Sequence, residues 1–163
     1  MDVQKNILQH IAGSYDANWA LPNLERFFAN LPEKPYCGNN KIISHILPKE
    51  KAIQFQYIQI NHPLCIRYII VDLDYARTVF AYEKHNLPPF TITTVNPSNG
   101  HCHGVYEIEP VFWDYTTEKT KNLLRLVVAM YRELLSADKA IVRQRQLTKN
   151  PFHDGWGLII LFV

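Results

Sequence analysis

Residues 68–74, with the sequence Tyr-Ile-Ile-Val-Asp-Leu-Asp, constrain the fold of this chain more than any other stretch. Their apolar, β-branched character predicts a buried β-strand that ends in two carboxylates. Alternate side chains of a strand point to opposite faces, so Asp72 and Asp74 share one face. The other face carries three apolar side chains, those of Ile69, Val71 and Leu73.

Two neighbouring carboxylates repel each other, and a folded protein tolerates such a pair mainly when a cation lies between them. Oxygen ligands at the end of a rigid strand suit Mg²⁺ or Mn²⁺, which leave room for substrate phosphates. The alternative is a strand that runs into a solvated, turn-forming aspartate. From this pair alone, both interpretations stay open.

The length of 163 residues predicts one domain with a substantial core. The net charge of +2 does not by itself indicate nucleic-acid binding. The charge is uneven, however, because residues 119–149 hold eight of the 17 Lys and Arg residues. That distribution favours a basic, phosphate-facing segment beside an acidic, metal-binding one.

The three cysteines are far apart in the sequence, which suits thiols in a reducing compartment. The first residues lack the charged-then-apolar pattern of a secretory segment, and no apolar run reaches the roughly 20 residues of a membrane span. We therefore expect a cytoplasmic protein.

Hydrophobic periodicity and turn residues predict six further elements. Helices are expected at residues 21–31, 75–84 and 118–136, and strands at 52–60, 90–95 and 101–109. Thr117 is the expected cap of the last helix, whose apolar stripe comprises Leu124, Val127, Tyr131 and Leu134. These elements predict an α+β fold: a sheet with helices packed on one face and the other face open.

The strand at 101–109 places His101 and His103 on one face and Cys102 on the other. If this strand and the Asp-bearing strand share a sheet, both histidines converge with the two aspartates. A His-x-His pair can bind a metal, contact phosphate, or lie on a wet strand face. The sequence contains no common zinc spacing, P-loop, dinucleotide-binding glycine motif or nucleophile elbow.

Five motifs occur in a fixed order along the chain: Tyr-Ile-Gln-Ile-Asn-His-Pro at 57–63, the 68–74 strand, Asn-Gly-His-Cys-His at 99–103, Ser-Ala-Asp-Lys at 136–139 and Thr-Lys-Asn-Pro-Phe-His-Asp-Gly-Trp at 148–156. This ordered set resembles the plasmid replicase family, the Rep initiators of theta-replicating colicin-type plasmids. The resemblance covers residues 57–156. It implies a core similar to archaeo-eukaryotic primases, that is, an RRM-like, mostly antiparallel sheet with helices packed on one face and an open catalytic face. It also implies metal-dependent primer synthesis at a plasmid origin.

The resemblance also implies site residues. Asp72 and Asp74 take the strand-borne Asp-x-Asp motif, and His103 takes the histidine of the second motif, with His101 in place of a serine. Asp138 is the third carboxylate, so that Asp72, Asp74 and Asp138 hold Mg²⁺ or Mn²⁺. The implied nucleotide contacts are His101, His103, Lys149 and Asn150, and less specifically Arg143 and Arg145.

The implied partners are single-stranded or origin DNA, nucleoside triphosphates and a host DNA polymerase in a bacterial cytoplasm. The expected organisation is an N-terminal helical and loop-rich part at 1–50, a catalytic core at 51–156 and an apolar tail at 157–163. Family members usually continue into an origin-binding module, and we expect origin recognition here to be either missing or supplied elsewhere. The tail is predicted either as a final strand or as the remnant of a truncated reading frame.

Two rival functions remain. A rolling-circle nickase would use the His101-Cys102-His103 motif to bind a metal and Tyr131 as its nucleophile. A non-catalytic fragment would bind single-stranded nucleic acid by stacking bases on exposed aromatic residues, including Tyr68 on the open face.

Overall fold

Two four-stranded antiparallel sheets form the framework of a computed structural model that describes residues 17–75, 78–138 and 147–160. The strands are β1 Tyr36–Gly38, β2 His45–Ile46, β3 Tyr57–Gln59, β4 Cys65–Leu73, β5 Ile92–Val95, β6 Cys102–Phe112, β7 Leu147–Lys149 and β8 Gly157–Ile160. One sheet, called the central sheet, has the strand order β4-β6-β5-β8, and the other, called the second sheet, has the order β2-β1-β3-β7. The helices in these ranges are α1 Ala17–Asn30, α2 Lys49–Ala52, the 3₁₀ helix Ala81–His85 and α3 Glu118–Leu134.

The central sheet contains the Asp-bearing strand as β4, paired with β6 along most of its length. β5 and β6 form the predicted hairpin around the turn at 96–100, where Gly100 has a φ of 73°. Gly104 lies near the start of β6, and a Cβ there would be 2.5 Å from the Phe90 ring. Glycine at this position therefore lets an aromatic ring pack directly on the strand.

The face of β4 that carries Ile69, Val71 and Leu73 packs against α3 and the 3₁₀ helix, as the strand pattern predicts. α3 begins at the predicted cap, where the Thr117 hydroxyl accepts a hydrogen bond from the Thr120 N–H. The predicted stripe is wrong at its last member, because Leu134 is 38% exposed while Leu135 is fully buried. The helix ends at Leu134, so the chain leaves helical periodicity at that point.

The opposite face of β4 is covered at its start by α1 and the second sheet. Tyr68 is 1% exposed, and its ring centroid lies 5.1 Å from that of Phe27. The expectation that Tyr68 lies on an open face and stacks bases is therefore wrong. This face becomes polar and accessible only toward the carboxylates at the end of the strand.

Most predicted elements differ from those observed by a few residues at their ends, and two differ more strongly. The strand expected at 52–60 is shorter, because the chain first forms α2 and reaches strand geometry only at Tyr57–Gln59. The helix expected at 75–84 is a 3₁₀ helix at Ala81–His85. Residues 157–160 of the apolar tail form β8, which pairs with β5.

The α+β, mostly antiparallel fold class is confirmed, with the second sheet as an addition. This sheet joins β1 and β2 to β3 and β7, so chain segments before and after residue 50 build one sheet. In the described parts of the chain, no helix combines the length and apolar character that crossing a bilayer requires.

Candidate active site

Asp72 and His103 lie directly opposite each other on β4 and β6, where the central sheet meets β7. Both side chains are buried, and Asp72 Oδ1 is 3.1 Å from His103 Nε2. The angles at this contact differ from those of a hydrogen bond, and neither atom has another hydrogen-bond partner within the described residues. Buried polar atoms of a folded protein are almost always paired, so an unpaired carboxylate oxygen marks this position as unusual.

The second sheet fixes the protonation of His103. The Lys149 backbone N–H donates to His103 Nδ1 at 3.0 Å, so this nitrogen carries a lone pair. The Thr148 hydroxyl lies 2.6 Å from the same nitrogen and is placed to donate to it. Burial lowers the pKa of His103, which favours the neutral ring. The neutral ring then has its proton on Nε2, the atom that faces Asp72.

Two lysine side chains approach the Asp72 carboxylate from the second sheet. Lys149 Nζ is 3.8 Å from Oδ1, and Lys41 Nζ is 3.6 Å from Oδ2. Burial alone would raise the pKa of Asp72, but His103 and the two lysines outweigh it and hold that pKa well below its usual range. Burial lowers the pKa of Lys149, and Asp72 partly offsets that effect. Asp72 is therefore an ionised carboxylate held in a buried setting by nearby cations.

Asp74 and His101 continue the polar face toward solvent. His101 Nδ1 lies 3.3 Å from Asp74 Oδ1, and the two side chains are 31% and 48% exposed, respectively. Asp138 is exposed beyond the end of α3, and its backbone N–H donates to the Asp72 carbonyl at 2.8 Å. The structure thus brings the backbones of all three predicted aspartates to the end of β4, although only the Asp72 side chain is buried.

Asn150 has a structural role, and the predicted nucleotide contact is wrong for this residue. Its side-chain amide donates to the carbonyls of Ile53 and Phe55, at 2.8 and 2.7 Å. Its side-chain oxygen accepts from the Phe152 N–H. The side chain is fully buried and its hydrogen-bonding groups are used within the protein. The less specific candidates Arg143 and Arg145 lie outside the described residues.

Sequence reasoning missed Lys41 and Thr148 as members of the site. Lys41 follows the turn-forming Gly-Asn-Asn at 38–40, and no local pattern indicates a loop that folds back toward β4. Thr148 stands beside the predicted Lys149, and adjacent strand residues normally point to opposite faces. Its contact with His103 depends on how β7 crosses the central sheet, which is a property of tertiary structure.

The family comparison agrees with this geometry. A sequence model of the Replicase family matches residues 30–161, which is most of the chain. The chain belongs to the Replicase family. None of the curated proteins matches it.

A solved structure shows the same fold as this replicase-family chain. It is the AEP domain of the cyanophage S-2L primase-polymerase (PrimPol), with 14% sequence identity and a TM-score of 0.57. The alignment covers 83% of this chain and 81% of that one. At this identity the similarity establishes the fold, and the predicted archaeo-eukaryotic primase-like core is confirmed.

The nickase alternative is not favoured by the arrangement of this replicase-family chain. Tyr131 packs against Tyr106, with ring centroids 4.8 Å apart, on the helical side of the central sheet. His101 and His103 project from the opposite side of β6. A tyrosine nucleophile and a His-x-His metal site would have to face a common substrate, and the sheet separates these two.

The chemistry of the donors suits a hard divalent cation. Within residues 17–75, 78–138 and 147–160, no three His, Cys, Asp or Glu side chains are close enough together to hold a metal ion. However, Asp72 Oδ1 is a buried acceptor without a hydrogen-bond partner, Asp74 follows two residues later, and the backbone N–H of Asp138 donates to the Asp72 carbonyl. These oxygen donors fit Mg²⁺ or Mn²⁺, and the metal site stays a prediction.

Proposed function

We propose that this protein is a replication initiator with primase activity, which joins nucleotides into a short primer at a plasmid origin. The observation that carries this proposal is the buried, ionised Asp72, whose Oδ1 lacks a hydrogen bond while two lysines approach its carboxylate. Family membership and the primase-polymerase fold supply the context. The plasmid origin comes from the resemblance of the ordered motifs alone.

Primer synthesis needs an anionic centre bordered by cations. The 3′-hydroxyl of one nucleotide gives up its proton and forms a bond to the α-phosphorus of the next, and pyrophosphate leaves. Asp72, Asp74 and Asp138 would hold Mg²⁺ or Mn²⁺, which when bound stabilises the charge on the attacking and leaving oxygens. Lys149 contributes a fixed positive charge on the side where a triphosphate would lie.

The two histidines have different roles in this proposal. The implied contact between His103 and the triphosphate is revised, because His103 is buried and its Nε2 faces Asp72. His103 is a positioning residue that holds the carboxylate toward the site. His101 is partly exposed beside Asp74, so it is the histidine that can reach a phosphate of the nucleotide.

The proposed partners are a single-stranded origin template, nucleoside triphosphates and a host DNA polymerase that would extend the primer. The proposed location is the bacterial cytoplasm. No step in this scheme requires a covalent bond between the protein and DNA.

The deciding experiment incubates the full chain with a single-stranded template, labelled nucleotides and Mn²⁺. We expect wild type to make short products and Asp72→Asn to lose them. The matched control Asp114→Asn removes an exposed carboxylate on another part of the surface and should leave synthesis unchanged. Template binding without synthesis by wild type would contradict the primase proposal. A covalent DNA adduct that disappears in Tyr131→Phe would replace it with the nickase mechanism.

A further inference from the structure

An aromatic side chain of the second sheet borders the candidate site. Gly38, Tyr57 and Lys149 form one cross-strand row, because Gly38 pairs with Tyr57 and Tyr57 pairs with Lys149. Directly opposed residues of antiparallel strands point to the same face. Lys149 reaches Asp72 from this face, so the Tyr57 ring lies on the site side of the second sheet.

The loop between β1 and β2 brings Lys41 over this ring. Lys41 Nζ lies 5.9 Å from the centroid of Tyr57 and 3.6 Å from Asp72 Oδ2. The loop is held by Asn40, whose side-chain oxygen accepts from the N–H groups of Ile42 and Ile43. A Cβ at Gly38 would overlap the Ile43 carbonyl oxygen, so the tight return of the loop requires glycine at that position.

Trp156 supports the Tyr57 ring from another direction. The two ring centroids are 5.6 Å apart with planes at 63°, an edge-to-face arrangement. The Trp156 indole N–H donates to the Gln56 carbonyl at 2.8 Å, which fixes the supporting ring. The Tyr57 side chain is only partly buried and is therefore a positioned aromatic surface that a flat ligand can contact.

We propose that Tyr57 and Lys41 form a subsite for the incoming nucleoside triphosphate, an assignment that rests on the proposed primase function. The Tyr57 ring stacks on the base, and Lys41 contacts the phosphate chain next to Asp72. A stacking surface paired with a cation matches the two chemical halves of a nucleotide. Stacking accepts every base because each has a flat aromatic face, as copying a template requires.

The distances suit this assignment. The Tyr57 ring and the Asp72 carboxylate are both neighbours of one ammonium group, that of Lys41, so a single nucleotide can span them. Lys41 is 56% exposed and attached by a flexible stem, which lets its ammonium group move from Asp72 to a phosphate. Lys149 is almost fully buried and keeps its contact with Asp72 during that exchange.

The test measures binding of ATP with Mn²⁺ to the full chain by equilibrium dialysis, together with the KM for nucleotide in primer synthesis. Base stacking predicts about tenfold weaker ATP binding in Tyr57→Leu, whereas Tyr57→Phe keeps the ring and should stay within about twofold. We expect about fivefold weaker binding in Lys41→Met, from the loss of one charged contact. Tyr115→Leu and Lys34→Met are matched controls, since both side chains are exposed and neither residue belongs to the cross-strand row.

The outcomes separate the subsite from the proposed function. ATP binding and KM unchanged in both Tyr57→Leu and Lys41→Met would overturn the subsite and leave the primase proposal intact. A wild-type protein that neither binds ATP nor makes primers would overturn both. A third outcome is that wild type binds ATP and the variants bind it more weakly, while no protein makes primers. This result would support the subsite and contradict only the proposed primase activity. If Tyr57→Leu fails to fold, the exposed Lys41→Met carries the test.

Discussion

Two buried polar clusters on one side of the central sheet differ in how completely they are hydrogen-bonded. Asn61, in the segment that precedes β4, donates to the Tyr68 carbonyl and accepts from the N–H groups of Arg67 and Tyr68. Asp72 lies near the end of β4. Its Oδ1 atom makes no hydrogen bond, and neither does the Nε2 atom of the neighbouring His103. The hydrogen-bonding groups of the Asn61 side chain find partners within the protein. The Asp72 carboxylate has its charge balanced by lysines, but its Oδ1 makes no hydrogen bond.

The completeness of hydrogen bonding distinguishes a structural cluster from a candidate binding site. A buried amide whose hydrogen bonds are all made within the protein stabilises one conformation and has nothing to offer a ligand. A buried carboxylate surrounded by cations, with an oxygen that makes no hydrogen bond, can exchange one of those cations for a metal or a substrate. Burial and polarity are alike in the two clusters, so hydrogen-bond completeness is what distinguishes them.

The largest expected effect comes from Asp72→Asn. Removing the charge should lower primer synthesis by about 1000-fold or more, because the phosphoryl-transfer centre loses its buried carboxylate. A circular dichroism spectrum like that of wild type would show that the fold survives. If the variant makes primers at a rate within about tenfold of wild type, Asp72 is not part of the proposed catalytic centre. The Asp72 cluster would then be structural, like the Asn61 cluster.

Asn150→Ala should lower the stability of the protein without changing synthesis, whereas Asp72→Asn should lower synthesis without unfolding the protein. It leaves the carbonyls of Ile53 and Phe55 and the Phe152 N–H without their buried partner, which predicts a loss of about 3 kcal/mol in the free energy of unfolding. Urea denaturation measures this loss. The rate of synthesis per folded molecule should not change, and a specific loss of nucleotide binding would return Asn150 to the active site.

Lys149→Met is expected to have an intermediate effect. The methionine fills similar space but removes one of the cations beside Asp72, so synthesis should fall by about 30-fold, mainly through kcat. Lys149→Arg should recover part of the activity. Steady-state kinetics of both variants give the measurement, and a variant whose only change is lower stability would place Lys149 in the scaffold.

The pH dependence of the free energy of unfolding should show that His103 is neutral in the folded protein. Its pKa is lowered in the folded protein, so the unfolded chain binds the proton more readily, and stability is lost as the pH falls below the unfolded value of about 6.5. Between pH 7 and pH 5 we expect wild type to lose about 1–2 kcal/mol more than His103→Gln. Urea melts at both pH values measure this, with the exposed His85→Gln as control.

Asp72 would contribute at lower pH. Its folded pKa is depressed, so its share of the stability is present above the unfolded value of about 3.9 and is lost as the pH falls further. The two groups therefore act in different pH ranges. Equal slopes for wild type and His103→Gln between pH 5 and pH 7 would contradict the neutral, buried state of His103.

The smallest expected effect is that of Tyr68→Phe. The hydroxyl accepts one long hydrogen bond of 3.4 Å from Asn30, so its removal should change the free energy of unfolding by less than about 1 kcal/mol. Binding of single-stranded DNA should not change, because the ring is buried against Phe27. A filter-binding or anisotropy titration that showed weaker binding would revive base stacking at this position.

Sequence reasoning predicted the parts of the fold that depend on local pattern. The alternation of residues 69–73 predicted the buried face of β4, and Thr117 predicted the start of α3. It failed for Tyr68, because the presence of a second sheet over the polar face is not encoded in the periodicity of β4. The same long-range packing explains why Asn150, sequence neighbour of Lys149, belongs to the scaffold.

The contact between Thr148, Lys149 and His103 has a mechanical consequence. It is a buried seam that joins the two sheets, and it runs through the proposed catalytic centre. Any movement that widens the gap between the sheets must also pull on the imidazole that faces Asp72. The proposed catalytic site and the contact that holds the two sheets together thus share the same residues. A ligand that binds at this site should therefore also raise the melting temperature of the whole protein.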